Sequence, residues 1–136
     1  MVDQHCVERV SDQPVTLWRV QTENNRGPFA CIYAYDAMDE ALLDVGLPGY
    51  HNSMPSPERD GLAERPGLLC AATSPRQLVR WFPKPARRAL ADLHYLVVRY
   101  DVAPGGAQIG ANQALFDPAL ATRTGSRQIA RVHAAA

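Results

Sequence analysis

The run His94-Tyr95-Leu96-Val97-Val98-Arg99-Tyr100-Asp101-Val102 decides the fold. Leu96, Val98, Tyr100 and Val102 fall on one face of an extended chain, with Tyr95, Val97, Arg99 and Asp101 on the other. This is the period-two pattern of a strand with one well-buried face. Pro104-Gly105-Gly106 turns the chain after it. Asn112-Gln113-Ala114-Leu115-Phe116 then reads as a short closing strand, broken by Asp117-Pro118. Two late strands joined by a tight turn favour an antiparallel arrangement.

Upstream, Ser74-Pro75-Arg76-Gln77 has the composition of a capping box with proline at the first helical position. The helix it starts carries Leu78, Val79, Trp81 and Phe82 on its apolar side and ends at Pro83 and Pro85. A further helical stretch is expected over residues 86–93. Leu68-Leu69-Cys70-Ala71-Ala72 is a short apolar run and reads as a buried strand. Val15 to Thr22 is rich in β-branched and aromatic residues and predicts the first strand. Between them, Asp36 is placed to cap a helix bearing Met38, Ala41, Leu42 and Val45, with Gly46 ending it. Ile129 and Val132 add a helical or strand turn to an otherwise weakly patterned end.

Strands and short helices thus do not alternate regularly. The fold class predicted is α+β, with a mainly antiparallel sheet and two or three short helices. Strands near 15–22, 68–72, 94–102 and 112–116 are expected in one sheet. Residues 1–14 read as a loose lead-in and residues 15–136 as a single domain.

The 136 residues suit one domain, and 46% hydrophobic with 21% charged residues is a globular composition. Fourteen basic residues balance fourteen acidic ones, which argues against nucleic-acid binding through bulk charge. Cys6, Cys31 and Cys70 form no CxxC pair, and the four histidines are scattered, so no zinc-ligand pattern exists. The first residues lack the basic and apolar runs of a secretory signal, and no stretch reaches the length of a spanning helix. A cytoplasmic protein with no metal and no membrane segment is expected.

Residues 46–67 hold four prolines and four glycines. A loop of that length inside a compact domain is usually functional or disordered, which directs attention to Tyr50, His51, Met54 and Arg59. No dinucleotide-binding glycine pattern, phosphate loop, zinc-protease motif or nucleophile elbow is present. The candidate site residues are Arg19, Ser74 and Gln113, with Trp18, Tyr33, Tyr35 and Trp81 as aromatic neighbours. Under strand alternation Arg19 shares a face with Leu17 and Gln21, unusual for a solvated charge.

Leu17-Trp18-Arg19-Val20, Gly27-Pro28-Phe29, Ala72-Thr73-Ser74 before Trp81-Phe82, Tyr100-Asp101-Val102 and Gln113-Ala114-Leu115-Phe116 together resemble small proteins of phages and prophages over residues 15–117. A further arrangement is similar to the R-S-E pattern of mono-ADP-ribosyltransferases. It has an arginine on a first strand, a hydroxyl where a later strand meets a helix, and a polar residue on a late strand. That resemblance implies an NAD site in which Arg19 holds a phosphate, Ser74 positions the nicotinamide half and Gln113 replaces the family's glutamate. Tyr33 and Tyr35 are the aromatic residues assigned to the cofactor. Gln113 carries no charge, so it can bond a hydroxyl but cannot stabilise a developing cation as a carboxylate does. A host protein is the partner such a phage protein implies.

Plainer readings of the same residues stand beside these. Arg19 pairs with Asp101 or caps the sheet edge, Ser74 only caps its helix, and Gln113 faces solvent. With them goes a non-catalytic protein that covers a host factor through the 46–67 loop.

Overall fold

The computed structural model describes residues 10–23, 37–47 and 57–132. Six strands and three α-helices are found there. The strands are β1 (Val15–Gln21), β2 (Leu69–Ala71), β3 (Leu96–Val102), β4 (Ala107–Ile109), β5 (Ala114–Phe116) and β6 (Ala121–Gln128). The helices are α1 (Ala37–Asp44), α2 (Pro75–Trp81) and α3 (Lys84–Asp92). The α+β class and the antiparallel pairing expected from the sequence are both present.

The strands form two sheets rather than one. β1, β3 and β6 make the first in the order β1-β3-β6, and β2, β5 and β4 make the second in the order β2-β5-β4. The turn at Pro104–Gly106 therefore hands the chain from one sheet to the other, and β5 pairs with β2 and β4 instead of β3. Reciprocal backbone hydrogen bonds join the sheets at one point. The Trp18 N–H donates to the Ala72 carbonyl at 2.9 Å, and the Ala72 N–H to the Trp18 carbonyl at 2.7 Å.

Alternation in β3 explains how the layers stack. Val98, Tyr100 and Val102 are buried while Arg99 and Asp101 are exposed. Their buried face, with Leu17 of β1, packs on Leu69, Ala71, Ala107, Ala114 and Phe116, so this core lies between the sheets. The Tyr100 and Phe116 rings meet there at 4.9 Å between centroids, tilted by 43°. Val97 is buried too, because a second core covers that end of the opposite face. It gathers Val20, Val97, Cys70 and Leu115 with Leu78, Trp81, Phe82 and Leu90 from α2 and α3.

Local chemistry sets the element ends. The Ser74 Oγ accepts the Gln77 N–H at 3.2 Å, and Gln77 Oε1 accepts the Thr73 N–H at 2.9 Å, completing the predicted box. Gly46, with φ +79°, follows α1 as expected, and Asp36 lies outside the described residues. β6 has no apolar alternation, and every position from Thr122 to Gln128 is exposed. Its ladder to β3 holds it as an edge strand, which a hydrophobic pattern does not reveal. Ile129 and Val132 are buried around a short 3-10 turn, Ile129–Arg131. At the other end of the described chain, Val10 bridges to Gln108 of β4.

The second half of the 46–67 segment is built into the fold. A 3-10 turn, Pro57–Asp60, buries the Asp60 side chain. Its Oδ2 accepts the Asn112 and Gln113 N–H groups at 3.0 and 3.2 Å. Gln108 Oε1 accepts the Ala63 N–H at 2.8 Å, and its Nε2 donates to the Ala63 carbonyl at 3.0 Å. A side-chain amide thus takes the place of a strand neighbour. Leu62 joins the core. Residues 57–67 thus serve as a structural clamp with Arg59 exposed on it, while Tyr50, His51 and Met54 lie outside the described residues.

Two substitutions test this account of the fold. Ser74→Ala removes the cap and should cost about 1 kcal/mol, read as a lower urea midpoint at unchanged slope. Gly110→Ala should cost more, about 1–3 kcal/mol, because overpacking here displaces a buried carboxylate. A Cβ at 110 would lie 2.8 Å from Asp60 Cγ and 3.0 Å from the Gln113 carbonyl oxygen. A wild-type melting curve for Gly110→Ala would show that the clamp yields freely.

Candidate functional site at the junction of the sheets

Register determines where Arg19 points. It lies opposite Val98 in the β1–β3 ladder, so it shares the inter-sheet face with Leu17 and Gln21. All three are buried, Arg19 and Gln21 completely. A guanidinium stays charged at any ordinary pH, and burying it is costly without hydrogen-bond acceptors. Arg19 Nη1 donates to the Cys70 carbonyl at 2.6 Å. Gln21 Oε1 accepts the Tyr100 hydroxyl at 2.8 Å, so the polar row on β1 is tied to both sheets.

Gln113 precedes β5 by one residue and is fully buried, not turned to solvent. Asp60 holds its backbone N–H, and its Oε1 accepts the Cys70 thiol at 3.1 Å. Arg19 and Gln113 therefore meet on either side of Cys70, one on its carbonyl and the other on its thiol. The expected Arg19–Asp101 pair does not form. Asp101 is exposed on the opposite face of β3, where its Oδ1 accepts the Thr16 hydroxyl at 3.0 Å.

Ser74 lies beyond this cluster. It is partly exposed, and its hydroxyl is engaged by the Gln77 N–H at the start of α2. Tyr33 and Tyr35 lie outside the described residues. Trp81 is buried among α2, α3 and the sheets, as a core residue would be. Trp18 points away from Arg19 and is partly exposed.

Sequence reasoning missed Asp60, Cys70 and Gln108. Cys70 was hidden inside an apolar run, and Gln108 in a stretch with no pattern. Asp60 precedes Gly61 in a segment dense with breakers, where an acid normally signals a turn and a solvated side chain. Gln21 was legible, because alternation alone puts it beside Arg19. Chemically the cluster offers a cationic fork and a neutral amide, with Asp60 as the neighbouring carboxylate. Arg19 and Gln113 are completely buried there, and Asp60 nearly so.

Among the described residues no group of three or more His, Cys, Asp and Glu side chains is placed to hold a metal. No helix among them is long and apolar enough to cross a membrane. Comparison with curated proteins and with solved structures gives no match. A family model does match, over residues 15–130, from the first residue of β1 into the turn that follows β6. By that match, which covers both sheets and the Arg19–Cys70–Gln113 junction, the chain belongs to the phage protein family described as the Bacteriophage T4 Y00F protein.

Proposed function

We propose that this protein is a phage accessory protein with an NAD-binding site of the ADP-ribosyltransferase kind, acting on a host protein. The observation that carries the reading is the convergence of Arg19 and Gln113 on Cys70. Two residues far apart in the chain, matched by resemblance to an arginine and a glutamate of one dinucleotide site, share one buried neighbour. In this reading Arg19 receives a phosphate through its planar fork. Gln113 bonds a ribose hydroxyl, and Tyr33 and Tyr35 flank the bases. Ser74, four residues beyond Cys70 on the connection from β2 to α2, orients the nicotinamide half. Gln113 supplies no charge to a developing oxocarbenium ion, so binding exceeds turnover.

A second reading has its own support. Arg19 and Gln113 are wholly enclosed, as residues that serve only to build the core would be. The protein then acts as a non-catalytic inhibitor that covers a host defence factor, and NAD plays no part.

Titration calorimetry with NAD separates the two readings. The first expects binding that Arg19→Lys weakens about tenfold or more, because lysine cannot reproduce a two-pronged hydrogen bond. It also expects Gln113→Glu to gain NAD hydrolysis, with ADP-ribose appearing on host proteins by intact mass. Absence of binding at millimolar NAD, together with a lowered melting temperature for Arg19→Lys, would leave the inhibitor.

A further inference from the structure

The opposite face of the first sheet carries a pocket of about 330 Å³ that the Arg19 junction does not use. Trp18, Val97 and Val132 give it apolar walls, and Arg99 and Arg127 bring positive charge. Ladder register places these groups. Trp18 lies opposite Arg99, Arg99 opposite Gly125, and Val97 opposite Arg127. Arg99 and Arg127 are thus diagonal neighbours on one face, about 7–8 Å apart at the backbone, within reach of one shared anion.

Among the described residues neither guanidinium is neutralised by an acid. Arg99 Nε donates to the Thr124 hydroxyl at 2.9 Å, which steers the side chain and leaves both terminal nitrogens without a partner among the described residues. Arg127 makes no ion pair or hydrogen bond among the described residues. The nearby arginine of β6, Arg123, is by contrast paired with Glu23 at 2.7 Å. Gly125 sits between them, and a Cβ built there meets no atom within 4 Å. The missing side chain therefore opens the middle of the row and leaves the edge of Trp18 uncovered.

We propose that this pocket binds a mononucleotide-sized ligand, with the base against Trp18 and the phosphate between Arg99 and Arg127. An indole and two arginines match a planar ring joined to an anion, because aromatic faces stack bases and guanidinium forks bind phosphate oxygens. The volume is at the lower end of small-molecule sites, which fits one nucleotide better than a dinucleotide. The balanced charge of the whole chain fits a small ligand better than a polynucleotide.

The test is titration of the full chain with AMP, GMP, CMP and UMP, beside adenosine, ribose 5-phosphate and inorganic phosphate. At least one monophosphate should bind at micromolar to sub-millimolar concentration and quench the fluorescence of Trp18. Its nucleoside and free phosphate should each bind at least tenfold more weakly. Gly125→Leu should abolish binding at an unchanged melting temperature, since it fills open space. Arg127→Glu should weaken binding about tenfold or more, the loss expected for a charged hydrogen-bonded contact. No binding of any monophosphate at millimolar concentration, or binding that survives Gly125→Leu, would overturn the proposal. So would a single-stranded oligonucleotide binding more tightly than every monophosphate.

Discussion

Two backbone hydrogen bonds between Trp18 and Ala72 hold the rest of the structure in place. β1 pairs with β3 along its whole length, yet among the described residues its backbone hydrogen-bonds toward the second sheet only there. Side chains alternate across a strand, so the residues around that contact are sent to opposite sides. Trp18 faces the pocket beside Arg99, and Arg19 faces the space between the sheets. Shifting the contact by one residue would exchange them. It would bury the indole between the sheets and expose the guanidinium.

The inter-sheet space has a consequent shape. Near Phe116 and Tyr100 it is closed by rings and methyl groups, and near Cys70 by polar side chains. Few hydrogen bonds between the sheets come from strand ladders, so side chains take over. Arg19 reaches across to a carbonyl of β2, while Gln113 accepts a thiol within the second sheet and Tyr100 meets Gln21 within the first. Each of these groups must keep its partner, because a buried polar atom without one costs more than the bond itself contributes. The same arrangement accounts for a glutamine at 113. A carboxylate would also accept from the Cys70 thiol, but it would bring a full charge into a nearly dry site beside the Asp60 carboxylate.

How much of this was legible depended on whether a residue's role followed from its neighbours in the chain. β3, the Ser74 cap and the shared face of Leu17, Arg19 and Gln21 all follow from local periodicity or local hydrogen bonding. The split into two sheets does not. β5 is short and apolar on both sides, so its pattern is equally compatible with β3 or β2 as partner, and only the full topology chooses. β6 was invisible because an exposed edge strand needs no hydrophobic face. For the candidate site, alternation marks Arg19, and the resemblance supplies the roles of Arg19 and Gln113. Asp60 escaped because its partners are backbone N–H groups some fifty positions downstream, and backbone groups leave no mark in a sequence.

The fit between Asp60 and Gly110 also bears on how this chain can change over generations. A side chain at position 110 is harmful chiefly because the Asp60 carboxylate occupies the space it needs. If Asp60 were first replaced by a smaller residue, much of that obstacle would vanish, leaving only the Gln113 carbonyl to accommodate. The two positions are therefore epistatic, and the order of substitution matters. A lineage that loses the acid first can acquire alanine at 110, but it then cannot regain the acid without passing through a less stable protein. The clamp behaves as a ratchet, easier to abandon than to rebuild.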